Sequence, residues 1–175
     1  FNNINKNMSI NHTMSQETFQ YNISDMLSLL NNENNSEDFI VKKYKDYKIV
    51  KYKKTAISSN NINSLGLFRS VIFKNDSIVC FSPPKSISYN NFIENNDFSK
   101  CKINYLVDGT MINMFYDNDL NEWVICTKSN IGALNKFNLD SNKTFKDMAL
   151  EAFTKENYNF DTMNKEYCYS FVLQH

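Results

Sequence analysis

Four residues between positions 69 and 128 carry side chains suited to binding a phosphate group together with its metal ion, three of them basic and one acidic, and a glycine follows the acid. Arg69 begins a predicted hairpin, and Lys85 follows two consecutive prolines. Asp108 and Gly109 lie between two predicted strands, and Lys128 ends a third. Two lysines and one arginine around a carboxylate suit a nucleoside triphosphate with its Mg²⁺. The same residues also fit a plainer interpretation, in which lysines occupy exposed strand ends and Asp-Gly forms a turn.

Other reaction chemistries lack the residues that they need. Histidine occurs only at positions 12 and 175, so a Ser-His-Asp, Cys-His or histidine-metal site would need a residue near an end of the sequence. The phosphate-binding patterns GxxxxGK[ST] and GxGxxG are missing from the sequence. The four cysteines, at 80, 101, 126 and 168, form no CxxC pair, which favours reduced thiols over a zinc clip or a disulfide scaffold. The remaining chemistry is that of lysine, carboxylate and magnesium, which acts on phosphates.

The composition describes a folded protein without net charge. The 175 residues are 42% apolar, and 19 basic residues balance 19 acidic ones, which gives no general affinity for polyanions. The apolar runs are far shorter than the roughly 18 residues that span a bilayer. Residues 1–10 also lack the apolar core of a secretion signal. These observations exclude the membrane and secreted classes, and we predict a cytoplasmic protein with no membrane contact.

Positive charge is concentrated in one short segment. Residues 41–54 contain seven lysines, and Asp46 is the single acid among them. Such a block can contact phosphates, each neutralised contact adding salt-dependent affinity. It can equally be the solvated face of a hairpin. Arg69 is the single arginine among the 19 basic residues, which suggests a position that lysine could not fill.

Hydrophobic periodicity predicts both helices and strands. One helix is predicted from Ser15, as its N-cap, to about Leu30, another over 89–96, and a third with a capping box formed by Thr144 and Asp147. Strands are predicted where β-branched and aromatic residues cluster between turn signals. The predicted strands are two within 39–54, then 69–73, 78–81, 103–107, 111–116, 123–128 and 167–174.

Many strands, with helices mostly kept apart from them, indicate an α+β fold around antiparallel sheet. We predict a polar tail and an amphipathic helix over residues 1–38, followed by one domain over residues 39–175. We expect residues 69–81 and 103–128 to lie in the same sheet. We also expect the domain to be truncated at its C-terminus.

Four segments, in order, resemble a known protein family. They are RSVIFKNDSIVCFSPPKS from position 69, YLVDGTMINMFYDNDLNEWVICTKSNIG from 105, TFKDMALEAF from 144 and YCYSFVLQ from 167. Together they resemble the nucleotidyltransferase domain of phage-type RNA ligases, and they are most similar to a ligase-like protein group of large DNA viruses. The resemblance covers about residues 39–175. It implies an antiparallel-sheet, ATP-grasp-like ligase core, ATP and Mg²⁺ as cofactors, RNA as a partner, and the host cytoplasm or virus factory as the location.

The resemblance also implies roles for single residues. Arg69 and Lys85 match basic residues of the family that contact nucleotide phosphates. Asp108 and Gly109 match the D-G of its nucleophile motif, K-x-D-G-[ST], and Lys128 matches the lysine of its T-K strand end. We therefore expect Asp108 and Gly109 to line the floor of a triphosphate pocket and to face Arg69.

Two functional groups of the family are replaced in this chain. The nucleophilic lysine of K-x-D-G falls at Leu106, and leucine cannot form a lysyl-AMP. The glutamate of the family's last strand falls at Val172. These two changes indicate a degenerate catalyst, in which Lys85 is a weak substitute for the nucleophile.

Three functions are compatible with these residues. We predict a ligase-like domain that binds nucleotide or RNA ends without self-adenylation. The first alternative is an active ATP-dependent RNA ligase that uses another lysine, Lys85 foremost. The second is a structural or virion-associated protein that keeps the fold for its stability alone. Aromatic strands fit a stacking platform and a plain core equally well, and the neutral overall charge favours the structural alternative over RNA binding.

Overall fold

The computed structural model describes residues 4–5, 9–10, 19–20, 23–138 and 141–174. Its helices are α1 (Ile23–Asn31), α2 (Tyr89–Asn95) and α3 (Phe145–Lys155), and 3-10 helices cover Glu33–Asp38, Leu65–Arg69, Phe98–Lys100 and Phe160–Thr162. The strands are β1 (Ile4–Asn5), β2 (Ser9–Ile10), β3 (Phe19–Gln20), β4 (Phe39–Lys43), β5 (Tyr47–Tyr52), β6 (Val71–Lys74), β7 (Ser77–Phe81), β8 (Thr110–Asp117), β9 (Glu122–Thr127), β10 (Asn130–Ile131) and β11 (Tyr167–Leu173).

The strands form two main antiparallel sheets, which confirms the α+β class predicted from the sequence. The four-stranded sheet has the order β4-β5-β6-β7, the five-stranded sheet has the order β1-β11-β8-β9-β10, and β2 pairs with β3. The expectation of one shared sheet is wrong, because 69–81 contributes β6 and β7 to the first sheet and 103–128 contributes β8 and β9 to the second. Local patterns specify hairpins, but the course of the connection over residues 82–109 decides which hairpins share a sheet.

Each main sheet is built from hairpins that the sequence predicts. In the β6–β7 hairpin, Asn75 and Asp76 have φ values of 48° and 61°. A two-residue turn with both central residues in the left-handed region matches the twist of the strands that it joins. The predicted strand pairs within 39–54 and 111–128 also form, as β4–β5 and β8–β9.

The main hydrophobic core lies between the two sheets. Phe73 and Cys80 of the four-stranded sheet are fully buried there, together with Phe115 and Cys126 of the five-stranded sheet. Helix α1 adds Met26 to the same core. The two sheets are therefore held face to face, and their ends define the edges of a common interface.

A second core lies between α3 and the opposite face of the five-stranded sheet. Side chains alternate along β8, so Met114 points away from the main core and packs with Phe145 and Phe153 of α3. The predicted capping box fixes the start of this helix. The Thr144 hydroxyl accepts from Asp147 N at 3.1 Å, and the Asp147 carboxylate accepts from Thr144 N at 2.8 Å.

Residues 103–107 do not form the strand that the sequence predicts. Ile103, Tyr105 and Leu106 are 82%, 100% and 96% exposed. Strand β8 begins only at Thr110, whose partner on β11 is Leu173. A strand needs a neighbour to satisfy its backbone groups, and no residue in the described ranges pairs with 103–107. The described part of the chain therefore supplies no strand that could pair with this segment.

The N-terminal helix begins later than predicted. Helix α1 starts at Ile23, and Phe19 and Gln20 form strand β3 instead. The predicted N-cap, Ser15, lies outside the described residues. None of the helices in the described ranges combines the length and the apolar character that a membrane span requires.

Candidate functional site

Lys85 is held against the 3-10 helix that ends at Arg69. The backbone N–H of Lys85 donates to the carbonyl of Gly66 at 3.0 Å. A Cβ atom on Gly66 would lie 3.3 Å from the Cβ of Lys85 and 3.3 Å from Ile62, so the missing side chain allows this close approach. Arg69 is half-buried at the end of the helix, whereas Lys85 is exposed.

Ser129 connects the basic segment 41–54 to the end of β9. Lys51 Nζ donates to the Ser129 hydroxyl at 2.7 Å, and Lys42 Nζ donates to its carbonyl at 3.3 Å. The Tyr44 hydroxyl donates to the same carbonyl at 3.4 Å. Because Ser129 follows Lys128 directly, these bonds place the lysines of the four-stranded sheet beside the lysine of the five-stranded sheet.

The positive charges of these segments act on one another. Although Lys128 as a residue is exposed, atoms packed around its ammonium group lower its pKa, and four nearby cations lower it further. Burial also lowers the pKa of Lys51, with a smaller effect from Lys42. Like charges disfavour each other's charged form, so both shifts indicate a local excess of positive charge. We call this group the cationic cluster; its members are Lys42, Lys51, Lys54, Arg69, Lys85 and Lys128.

No carboxylate in the described part of the chain forms an ion pair with the cationic cluster. The ion pairs found there use Lys48, Lys74, Lys100 and Lys143, and none of these four belongs to it. Basic side chains that are held together without an acid are suited to binding an external anion. Several phosphate groups in succession would satisfy more of them than a single carboxylate could.

The structure brings together three of the residues predicted from the sequence, Arg69, Lys85 and Lys128. Lys51 and Lys54 join them, although the sequence pointed to the basic block as a whole and did not connect it to Arg69. The density of lysine in that block was the available signal. Its connection to residues more than 70 positions away, through Ser129, depends on the packing of the two sheets.

Asp108 and Gly109 are not paired with Arg69 in the described structure. The Asp108 side chain is exposed, and its carboxylate accepts a hydrogen bond from Gly109 N at 2.9 Å. Gly109 allows a close approach to β11, because a Cβ atom there would lie 2.3 Å from the carbonyl oxygen of Leu173. Ile112 pairs with Thr127, so Asp108 lies toward the same end of the five-stranded sheet as Lys128.

The two positions at which the ligase resemblance leads one to expect a lysine and a glutamate lie at the surface. Leu106 is 96% exposed in the irregular segment before β8, and Val172 is 42% exposed on β11, where it pairs with Met111. Neither leucine nor valine offers a group that could attack or coordinate phosphate. Neither Leu106 nor Val172 therefore supplies a catalytic group.

A cleft of about 650 Å³ lies away from the cationic cluster. Tyrosines and asparagines around the start of β11 line it, among them Tyr158, Asn164 and Tyr169. None of the predicted site residues belongs to its lining. The cationic cluster is thus a surface site at the edge between the sheets and is distinct from this cleft.

The described residues do not by themselves form a magnesium site. No group of three or more histidine, cysteine, aspartate or glutamate side chains within them is placed to hold a metal ion. Mg²⁺ often binds through one or two carboxylates together with the phosphates of its nucleotide. Asp108 is a carboxylate of this kind, but it is exposed and belongs to no organised set of ligands.

At the opposite edge of the interface between the sheets, the positive charge of one lysine is balanced by two carboxylates. Lys74 Nζ donates to both oxygens of Asp117 at 2.7 Å and to Asp119 at 2.6 Å, and the Tyr47 hydroxyl donates to Asp117. Burial alone would raise the pKa of Asp117, but these bonds and two backbone N–H groups lower it to about 2. Burial and the bond to Asp117 raise the pKa of Tyr47. This network is a structural link between the sheets.

No protein-family model matches this chain, and neither a curated protein nor a solved structure matches it significantly.

Proposed function

We propose that the cationic cluster binds the phosphates of a nucleotide or of an RNA end, in an RNA-ligase-like nucleotidyltransferase domain that does not self-adenylate. The observation that carries this proposal is a cluster of six basic side chains from both sheets without a carboxylate partner in the described residues. The chain as a whole has no net charge, so the local excess, rather than the overall charge, would attract the anion.

The positions of the cluster members support a ligand with several phosphates. Arg69 offers a planar fork of donors, which suits bidentate contact with phosphate oxygens. Lys85 and Lys128 are exposed and offer compact positive charges that can reach neighbouring phosphates. A triphosphate, or the end of an RNA strand, presents that kind of extended negative charge.

The proposed loss of self-adenylation rests on Leu106. A lysyl-AMP needs an amine at this position, and the side chain found there is a hydrocarbon that faces solvent. Lys85 is the lysine of the cluster that an active ligase would be most expected to use instead. Since all four cysteines are free thiols, the proposed location is a reducing, cytoplasmic compartment.

The test measures binding and covalent labelling on the same protein. The full chain is titrated with ATP and with 5′-phosphorylated single-stranded RNA at low and moderate salt, and it is also incubated with α-labelled ATP and Mg²⁺. We expect binding that weakens with salt and no labelled protein. Arg69→Ala and Lys85→Ala should each weaken binding by roughly tenfold, as loss of a charged hydrogen bond implies.

Lys146→Ala is the matched control, because Lys146 is an exposed lysine on α3, outside the cationic cluster. It should bind like the unmodified chain. If ATP and RNA fail to bind, or if Arg69→Ala and Lys85→Ala bind as well as the control, the proposal is wrong. Labelled protein that disappears in Lys85→Ala would instead establish an active ligase.

A further inference from the structure

Residues 102–108, with the sequence KINYLVD, form an exposed segment that continues directly into β8. Tyr105 and Leu106 are almost completely exposed, and Ile103 is 82% exposed. Residues 103–107 make no ladder with any strand in the described ranges. Exposed apolar residues of high β propensity that make no ladder are characteristic of a surface that pairs with another chain.

The sequence of this segment is complementary to itself in the antiparallel direction. If two copies are aligned about Tyr105, Lys102 of one copy lies opposite Asp108 of the other, and this happens at both ends. Ile103 then lies opposite Val107 in both halves, so that β-branched side chains meet. Cross-strand pairs of opposite charge and of β-branched residues are those that stabilise a sheet.

We propose that two copies of this chain associate through residues 102–108, paired as antiparallel strands about a two-fold axis at Tyr105. A two-fold axis makes the interface isologous, so the same patch serves on both sides. The parallel alternative would place Lys102 opposite Lys102 and Asp108 opposite Asp108, which is repulsive. Charge complementarity thus selects both the occupant, a second copy, and its direction.

The pairing would give residues 103–107 the neighbouring strand that the described part of the chain does not supply. The backbone N–H and C=O groups of alternate residues within 103–107 would gain partners. The two Tyr105 side chains would contact each other across the two-fold axis. The strand would extend β8 and join the five-stranded sheets of the two copies. The segment contains no member of the cationic cluster, so this inference does not depend on phosphate binding.

Sedimentation equilibrium of the full chain over a range of concentrations tests the proposal. We expect a reversible monomer–dimer equilibrium. Tyr105→Lys places two ammonium groups opposite each other at the two-fold axis and should raise the dimer dissociation constant by roughly tenfold or more. Leu134→Lys is the matched control, because Leu134 is 65% exposed and lies outside the segment. It should leave the equilibrium unchanged.

A charge exchange tests the antiparallel register. Lys102→Asp and Asp108→Lys, each made alone, place like charges opposite each other at both ends and should weaken the dimer. The double variant restores opposite charges and should return the dissociation constant to that of the unmodified chain. The proposal fails if the chain is monomeric at all concentrations, if it forms open-ended assemblies, if Tyr105→Lys dimerises as well as Leu134→Lys, or if the double variant does not recover.

Discussion

The interface between the two sheets ends differently at its two edges. Where β8 turns toward β9, the ammonium group of Lys74 lies between Asp117 and Asp119, and Tyr47 adds a further donor to Asp117. Where β9 ends, Lys128 lies among further cations, and no carboxylate of the described residues pairs with them. Both edges use lysines from the four-stranded sheet.

The difference shows that the surroundings, rather than the residue type, decide what a lysine does. Asp117 is only 3% exposed, so its charge needs donors within the protein, and Lys74 supplies one. At the other edge, the described residues include no buried acid that requires compensation. This difference is why we propose ligand binding for the cationic cluster and a stabilising role for the Lys74 network.

Among the tests of this comparison, substitution of Asp117 is expected to have the largest effect on stability. Asp117→Ala leaves Lys74 with only its exposed partner, Asp119, and leaves Tyr47 without its acceptor, so it should lower the free energy of unfolding by about 2–3 kcal/mol. Denaturant unfolding measures this loss. Asp76→Asn removes the exposed charge that pairs with Lys48, keeps a residue type that tolerates the left-handed turn, and should change the unfolding midpoint little. Similar losses in both variants would show that the Lys74 network is not special.

An effect of intermediate size on the free energy of unfolding is expected when the pH is lowered. The pKa of Asp117 in the folded chain is lowered to about 2 from an ordinary value of 3.8. Its contribution is therefore present above about pH 4 and is lost as the pH falls toward 2, by roughly 2 kcal/mol. The comparison of unfolding free energies for the unmodified chain and Asp117→Asn across this range isolates it. Parallel pH profiles for the two proteins would contradict the assignment.

The smallest effect is expected at the cationic cluster, and its sign is opposite. Lys54→Gln and Lys128→Gln each remove a charge from a group of like charges, so they should leave stability unchanged or raise it by less than about 1 kcal/mol. Added salt should raise the melting temperature of the unmodified chain more than that of the double variant, because salt screens the repulsion. A marked loss of stability in either variant would indicate a structural role for the cluster.

The sequence predicted most of the local structure of this protein. The hairpins within 39–54, 69–81 and 111–128, and the capping box at Thr144, depend on neighbouring residues and formed as expected. The prediction failed at 103–107, where apolar alternation indicated a strand but the described chain supplies no neighbour for it. It also failed for the first helix, whose periodicity continued into residues that form β3.

The candidate site was only partly predictable. Arg69, Lys85 and Lys128 were selected because of their positions at strand ends, and the structure brings them together. The inclusion of Lys42 and Lys51 depends on Ser129, which no local pattern marks as a contact. Asp108 was expected to face Arg69; its carboxylate accepts a hydrogen bond from its neighbour Gly109, and the ion pairs of the described residues include none between Asp108 and Arg69.

By itself, the amino-acid sequence determined the α+β class, the hairpins and the composition of the basic residues, which are lysines apart from one arginine. These properties depend on side-chain type and short-range spacing. The tertiary structure decided which hairpins share a sheet, which lysines are neutralised and which remain together without an acid. Those outcomes depend on contacts between residues far apart in the chain, such as Lys74 with Asp117 and Lys51 with Ser129. Electrostatic energies depend on distance and burial in three dimensions, and neither quantity can be read from the order of residues alone.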